Sequence, residues 1–211
     1  MRSVMDARTR SRKNDPERTR SKILDAAADL FQAKGYNETS IHDITAAAGV
    51  TSGALHHHYA SKKALGLAVV DERIAGALRA AWIEPMLVAA SVSEGVQRSM
   101  KSIASELRQQ GFVRGCPVNN LTIELAFSDP DFRAALEPHF AEWQRTIAEK
   151  FEADGGQLPP ALQSPKAAAT FIVATYSGAM ALAKAEQSSA PLEATAMVLG
   201  AILSGASTGG A

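Results

Sequence analysis

The chain has 211 residues, 46% hydrophobic and 6% aromatic, with 22 basic and 22 acidic side chains that cancel to a formal charge of zero. That length suffices to bury a core without staples, and the one cysteine, Cys116, leaves no intrachain disulfide. A cysteine-stapled secreted module is thereby excluded, and an intracellular, cytoplasmic protein is expected. A neutral total argues against a polyanion binder, but the charge is unevenly placed. Residues 1–65 hold eleven Lys and Arg against seven Asp and Glu, whereas residues 66–211 hold eleven against fifteen. A basic head on an acidic body points toward a polyanion partner.

Residues 1–15 carry Arg2, Arg8, Arg10, Arg12 and Lys13 without apolar periodicity, so they read as a disordered basic arm rather than a signal peptide. Solubility charge is the plain reading of that arm, and phosphate or minor-groove contact the functional one. The first helix is expected over 16–34, entered at Asp15-Pro16, striped by Ile23, Leu24, Ala27, Leu30 and Phe31, and stopped at Gly35. Ser40 with Asp43 makes a capping-box start for a short helix to about residue 48. After Gly49, Thr51 or Ser52 caps a second short helix that runs to about Tyr59. Ser61 then caps a helix over 62–82, closed before Pro85. Two short capped helices meeting at a glycine are a helix-turn-helix signature.

Five more helices are expected, over 93–110, 117–127, 130–153, 165–187 and 192–203, with Pro138 predicting a kink in the third of them. Residues 155–160 read as a linker, and the tail after Ser204 as low in complexity. The apolar stretch 167–183 contains Thr170, Thr175, Tyr176 and Ser177 and is read as short of the roughly 20 apolar residues a membrane span needs.

In the helix-turn-helix, Ile44, Ala48, Val50 and Leu55 are spaced to be buried, which leaves Thr51, Ser52, Gly53, Ala54, His56, His57 and Tyr59 facing out. Small residues at the start of the second helix allow it to approach a DNA major groove. Metal binding by His56, His57 and His58 is disfavoured, because successive helical positions point about 100° apart and zinc on a helix takes ligands at i and i+4.

The run from Ile44 through Gly49-Val50, Leu55, His56-His57-His58-Tyr59 and Lys62 to Leu65 resembles the TetR (tetracycline repressor) family of regulators. Ala26-Ala27, Leu30-Phe31 and Gly35-Tyr36 upstream strengthen the likeness. The resemblance implies an all-α fold: a three-helix helix-turn-helix DNA-binding domain over 16–65, then a helical ligand-binding and dimerisation domain over 66–211. It further implies a homodimer reading a palindromic operator and released by a small-molecule inducer. No cofactor and no metal are expected. By position it places Thr51, Ser52, Ala54, His56, His57 and His58 on the recognition helix, Lys62 on a phosphate contact and His42 on a contact from the preceding helix. His58 is also open to a packing role under the helix. Histidine at 56 and 58, where the family more often has an aromatic, leads to the expectation that operator affinity falls as pH rises from about 6 to 8. The helix over 62–82 would carry the inducer signal.

In the body, Leu192, Ala196, Leu199, Gly200 and Leu203, with Phe171, Thr175, Gly178, Ala179 and Leu182, form stripes for a four-helix dimer contact through 165–187 and 192–203, or else for packing inside the subunit. An apolar effector pocket would draw on Phe112, Val113, Leu121, Leu125, Phe127, Phe140, Trp143, Ile147, Phe171, Tyr176 and Met180, with Asn119, Asn120, Glu124 and His139 as polar anchors. Cys116 falls at a helix N-cap beside Arg114, a setting that lowers a thiol pKa, with Lys184 as a further neighbour. An inert buried thiol and an electrophile or oxidant sensor are the two readings. A helical enzyme using Cys116 as nucleophile would need His139 as base, and no phosphate loop, zinc motif or serine-histidine-acid spacing accompanies it. An activator or architectural binder would share the same head.

Overall fold

A computed structural model describes residues 15–154, 162 and 164–204. The basic arm apart from Asp15, the 155–160 linker and the tail after Ser204 lie outside the described residues. Within them the chain is helical, without a strand. It divides into two compact units, residues 1–73 and 74–211.

The first unit begins with α1 (Pro16–Lys34), whose N-cap Asp15 accepts from the backbone of Glu17 and Arg18. Gly35, at φ 93°, ends it in a conformation that side chains resist. Ile23, Leu24, Ala27 and Phe31 form its buried stripe. In α2 (Ile41–Ala48) the capping box is complete: the Ser40 hydroxyl accepts from Asp43 N–H at 3.0 Å, and Ser40 N–H donates to the Asp43 carboxylate at 2.9 Å. Gly49, left-handed at φ 65°, turns the chain into α3 (Ser52–His58), capped by the Thr51 hydroxyl on Ala54 N–H. Then α4 (Lys62–Val69) follows its Ser61 cap. Ile44, Leu55, Tyr59, Leu65 and Val69 complete the core of this unit.

The helix expected to close before Pro85 runs further. After α4 come a π-helical turn (Val70–Ile74), α5 (Ala75–Leu78), a second π-helical turn (Arg79–Ile83) and α6 (Glu84–Val88). The second turn explains how Pro85 is tolerated. Glu84 N–H reaches back to Arg79 O, one residue beyond α spacing, so the backbone has widened just where a proline ring would clash. Glu72 pairs with Arg20, and Arg73 with Asp25 and Ser21 of α1, which carries the first unit to residue 73 rather than 65.

The second unit continues with α7 (Val92–Gln110), α8 (Pro117–Leu125), α9 (Pro130–Ala153), α10 (Pro165–Glu186) and α11 (Ala190–Leu203). Three of these open on the expected polar cap before proline: Cys116, Asp129 and Ser164. The helix α9 continues through Pro138. By length and composition α10 is apolar enough to cross a membrane, contrary to the sequence reading. Here it is a core helix, burying Ala168, Ile172, Val173, Tyr176, Ala179, Met180 and Ala183 against α9 and α11. Close approach is built in by glycine: a Cβ on Gly95 would meet Met86 Sδ at 2.7 Å, and one on Gly200 would meet Gln97 Nε2 at 2.8 Å. Gln187 ends α10 in the left-handed region, at φ 50°. Its side-chain amide pairs with Val113, accepting from N–H at 3.1 Å and donating to O at 3.0 Å, and so pins the segment that leads to Cys116.

Candidate nucleic-acid interface and effector site

The first unit presents one polar, solvent-open helix face. Thr51, Ser52, Gly53, His56 and His57 of α3 and its cap are exposed, as is His42 of α2, whereas Ala54 and His58 are half-buried. A Cβ added at Gly53 would meet nothing nearer than the Thr51 hydroxyl at 3.9 Å, so the opening at the start of α3 is not a packing requirement of the fold. The His58 ring lies edge-on to His57, with centroids 5.4 Å apart, and 6.5 Å from Tyr59. Lys62 sits with its ammonium 4.4 Å from the centre of the Tyr36 ring and donates to Asn37 O at 3.3 Å. That contact holds a cation beside the turn that precedes α2. Among the described residues, no three His, Cys, Asp or Glu side chains gather to hold a metal.

Tyr59 is the correction in this unit. It was expected on the outer face, yet it is 6% exposed and its buried hydroxyl has no hydrogen-bond partner among the described residues. Burial pushes the phenol pKa up, and the Arg20 guanidinium stands 5.9 Å over the ring. As the C-cap of the short α3, Tyr59 leaves the helical rotation and turns inward, so the periodicity that assigned it outward no longer applies. Ala48 and Val50, expected in the core, are half-buried.

In the second unit the predicted effector residues separate into two groups. Trp143, Tyr176, Met180 and Cys116 are buried, and Trp143 and Tyr176 meet with ring centroids 5.5 Å apart. Trp82, which the sequence reading treated only as a helix end, completes the cluster at 4.9 Å from Trp143 and 4.8 Å from Tyr176. The signal that would have found it was composition: these are the only two tryptophans in the chain. The other group does not share that setting. Asn120 is spent on structure, donating to Arg114 O at 2.8 Å and accepting from Lys184 at 3.3 Å. Asn119 and Glu124 are half-buried on α8. Phe127 is 99% exposed, because the amphipathic stripe of α8 ends at Leu125, and Phe112 and Phe171 are also exposed.

Cys116 stands at the N-cap, but its thiol pKa is raised, not lowered. Burial outweighs the backbone N–H groups of Asn119 and Val118 and the Tyr176 hydroxyl, all of which favour the thiolate. Tyr176 is held well above its ordinary pKa by the same desolvation, with Cys116 adding to the shift. Lys184 extends over Gly115 to Asn120.

Of the expected dimer stripes, Leu192, Ala196, Leu199 and Gly200 are consumed inside the subunit, where α11 packs on α7. The α10 stripe is different. Apart from the buried Ala179, its Phe171, Gly178 and Leu182 are exposed, and so are Ala194 and Val198 of α11, which share a groove with Phe171. Phe171, Thr175, Ala194, Val198 and Ile202 line an apolar groove of about 270 Å³ between these two helices. A second cleft, about 550 Å³, lies between α7 and α11, floored by Met100, Ala104 and Ala196 and edged by Gln97, Lys101 and the Arg108–Glu193 ion pair.

Comparison with known proteins agrees with this division. Residues 23–69 match the description "Bacterial regulatory proteins, tetR family", and residues 92–198 match "Transcriptional regulator LmrA/YxaF-like, C-terminal domain". An uncharacterized HTH-type transcriptional regulator in the lacX 3' region of Lactococcus lactis subsp. lactis is 35% identical over 174 residues, 80% of this chain and 85% of that protein. The HTH-type transcriptional repressor DhaR of Mycobacterium sp. (strain GP1) is 30% identical over 180 residues, 82% and 86% of the two chains. The crystal structure of regulatory protein TetR from Rhodobacter sphaeroides superposes with a TM-score of 0.76 at 27% identity, covering 85% of this chain and 96% of that one. Helix order, the open α3 face and these matches together place the chain in the TetR family of DNA-binding transcriptional regulators.

Proposed function

We propose that this regulator is a repressor whose homodimer holds a palindromic operator and lets it go when a small apolar effector enters the second unit. The observation that carries the reading is the Thr51-capped α3, held by the Gly49 turn with its N-terminal face open to solvent and free of packing duties. Thr51, Ser52, Gly53, Ala54, His56 and His57 would read or approach base edges, with His58 packing beneath. His42 and Lys62 would bind phosphate. The unburied faces of α10 and α11 support pairing through 165–187 and the outer side of 192–203. The cluster of Trp82, Trp143, Tyr176 and Cys116 supports an effector site in the unit's interior. Cys116 acts there as a packed neutral thiol, since its raised pKa opposes both thiolate sensing and nucleophilic catalysis. The protein works in the cytoplasm, where its operator lies, and carries no catalytic activity.

Selection of bound sequences from random duplex DNA, followed by footprinting, tests the reading. The expected result is a palindrome whose half-site centres lie about one or two DNA turns apart, bound by an even number of subunits. Tight binding of a single subunit to an asymmetric site would sink it.

A further inference from the structure

We propose that Tyr36 is a positioning residue of the DNA-binding unit, whose ring face, with the Asn37 carbonyl, holds the Lys62 ammonium in place for a phosphate of the duplex. The inference deepens the reading of Lys62 as a phosphate contact and rests on it. Lys62 opens α4, whose first turn contains Lys62 and Lys63 and no acidic residue. That choice runs against the helix macrodipole, which favours negative charge at an N-terminus. Lysines there do not stabilise the helix, whereas an anion arriving from outside satisfies the cations and the dipole together.

The half-buried Lys62 side chain ends with its ammonium 4.4 Å from the centre of the Tyr36 ring, within cation–π range, and 3.3 Å from Asn37 O, to which it donates. Both of these partners are uncharged. They fix the position of the cation without neutralising it, whereas a carboxylate would do both. The ring is itself fixed. It lies against Phe31 of the buried core, with centroids 5.1 Å apart and planes inclined at 57°. Beneath it the fully buried Thr39 closes the turn, its N–H donating to Tyr36 O at 3.2 Å and its hydroxyl to Gly35 O at 2.7 Å. The ring therefore stands on a turn that the core holds still. A lysine that rotates freely gives up side-chain entropy when it docks on phosphate, and one already held gives up less. Asn37 contributes only backbone to this arrangement, so residue 36 is where a substitution reaches it.

The test is a double-mutant cycle in the full chain, read by fluorescence anisotropy on two duplexes of equal length, the selected palindrome and one of mixed sequence, from about 50 to 200 mM salt. Lys62→Gln should weaken both and reduce the slope of log affinity against log salt by about 0.9 for each bound subunit. Tyr36→Phe keeps the ring face and should bind within about twofold of the parent. Tyr36→Leu removes the face and should weaken both duplexes by the same factor, about three- to tenfold for each bound subunit. Added to Lys62→Gln, the same change should cost nothing further beyond about twofold, because the ring acts through Lys62. Tyr36→pentafluorophenylalanine guards against a folding defect in the leucine variant, since it keeps the shape of phenylalanine and removes the negative potential of its face. It should bind as weakly as Tyr36→Leu. Additive losses in the cycle make the ring a structural residue and overturn the proposal. A loss confined to the palindrome, which marks base reading, overturns it too, as does equal binding by the phenylalanine and pentafluorophenylalanine variants. Unchanged affinity and salt slope in Lys62→Gln defeat the phosphate reading of Lys62 and the proposal with it, whereas a loss at Lys62 with none in Tyr36→Leu defeats the proposal alone. If selection yields no palindrome the repressor reading fails, and the mixed-sequence duplex still decides the role of Tyr36.

Discussion

Gly53 and Tyr59 sit six residues apart and have opposite duties. Gly53 is exposed with an ordinary backbone conformation, and the fold leaves room for a side chain there. If its smallness serves the approach of α3 to a duplex, Gly53→Val should leave the thermal midpoint within a degree or two while operator affinity falls by roughly tenfold or more, comparable to a mismatched base pair. Differential scanning fluorimetry beside a DNA-binding titration checks both halves, and unchanged affinity would remove Gly53 from the interface. Tyr59 tests the converse. Its buried hydroxyl has no partner among the described residues, so Tyr59→Phe deletes an unsatisfied group and should leave stability equal or slightly higher, with operator affinity unchanged within about twofold. A large loss of affinity in that variant would return Tyr59 to the DNA face. Residue types alone suggested both as contacts; only the inward turn after His58 separates them.

Among the elements, α2 depends most visibly on local chemistry. Hydrogen bonds from the Ser40 backbone and hydroxyl hold the Asp43 carboxyl below its ordinary pKa, with Lys34 adding a favourable charge. A carboxyl whose folded pKa is lowered contributes stability that is fully present above its unfolded pKa and is lost as pH falls through the lowered value. Thermal midpoints measured from about pH 6 to 2 should therefore decline less steeply at the acid end for Asp43→Asn than for the parent chain. Ser40→Ala, which removes the cap itself, should cost about 1 kcal/mol at neutral pH. Parallel acid limbs for parent and Asp43→Asn would show that the capping box is not what titrates. This element was fully legible beforehand, because Ser40 and Asp43 act three residues apart and Gly49 closes the same short helix six residues later. The run after Lys62 was not, because a π-helical turn that relieves Pro85 leaves no local signature.

For the molecule as a whole, the decisive unexplained surface is the outer side of α10 and α11. Val198 is 58% exposed in the groove that contains Phe171, and Leu182 of α10 is 57% exposed. Large apolar side chains clustered this way mark an interface, and a palindrome reader needs a two-fold axis. Leu182→Arg should give a folded monomer in analytical ultracentrifugation, with operator affinity lower by on the order of a hundredfold through loss of the paired contact. A dimer that persists in this variant would move the interface elsewhere. Leu192, Ala196 and Leu199 would not serve as such a test, since they hold α11 against α7 and their removal would unfold the subunit.

What the amino-acid order determined by itself is whatever depends on neighbours close in the chain. The caps at Asp15, Ser40, Thr51, Ser61 and Ser164, the glycine stops and the helical periodicity belong here, and with them the helix-turn-helix and its family. The split of a neutral chain into a basic head and an acidic body was equally readable, because charge is a sum over residues. Tertiary structure alone decided which apolar stripe is core and which is surface. The i, i+4 spacing of Leu192, Ala196 and Leu199 looks the same whether its partner is α7 or another subunit. It alone also decided the direction of the Cys116 pKa shift, where burial outweighs the helix N-terminus that spacing had revealed. And it brought Trp82 to Trp143 across sixty residues of chain, a juxtaposition no local pattern encodes because packing in three dimensions, not periodicity, selects the neighbours of a buried ring.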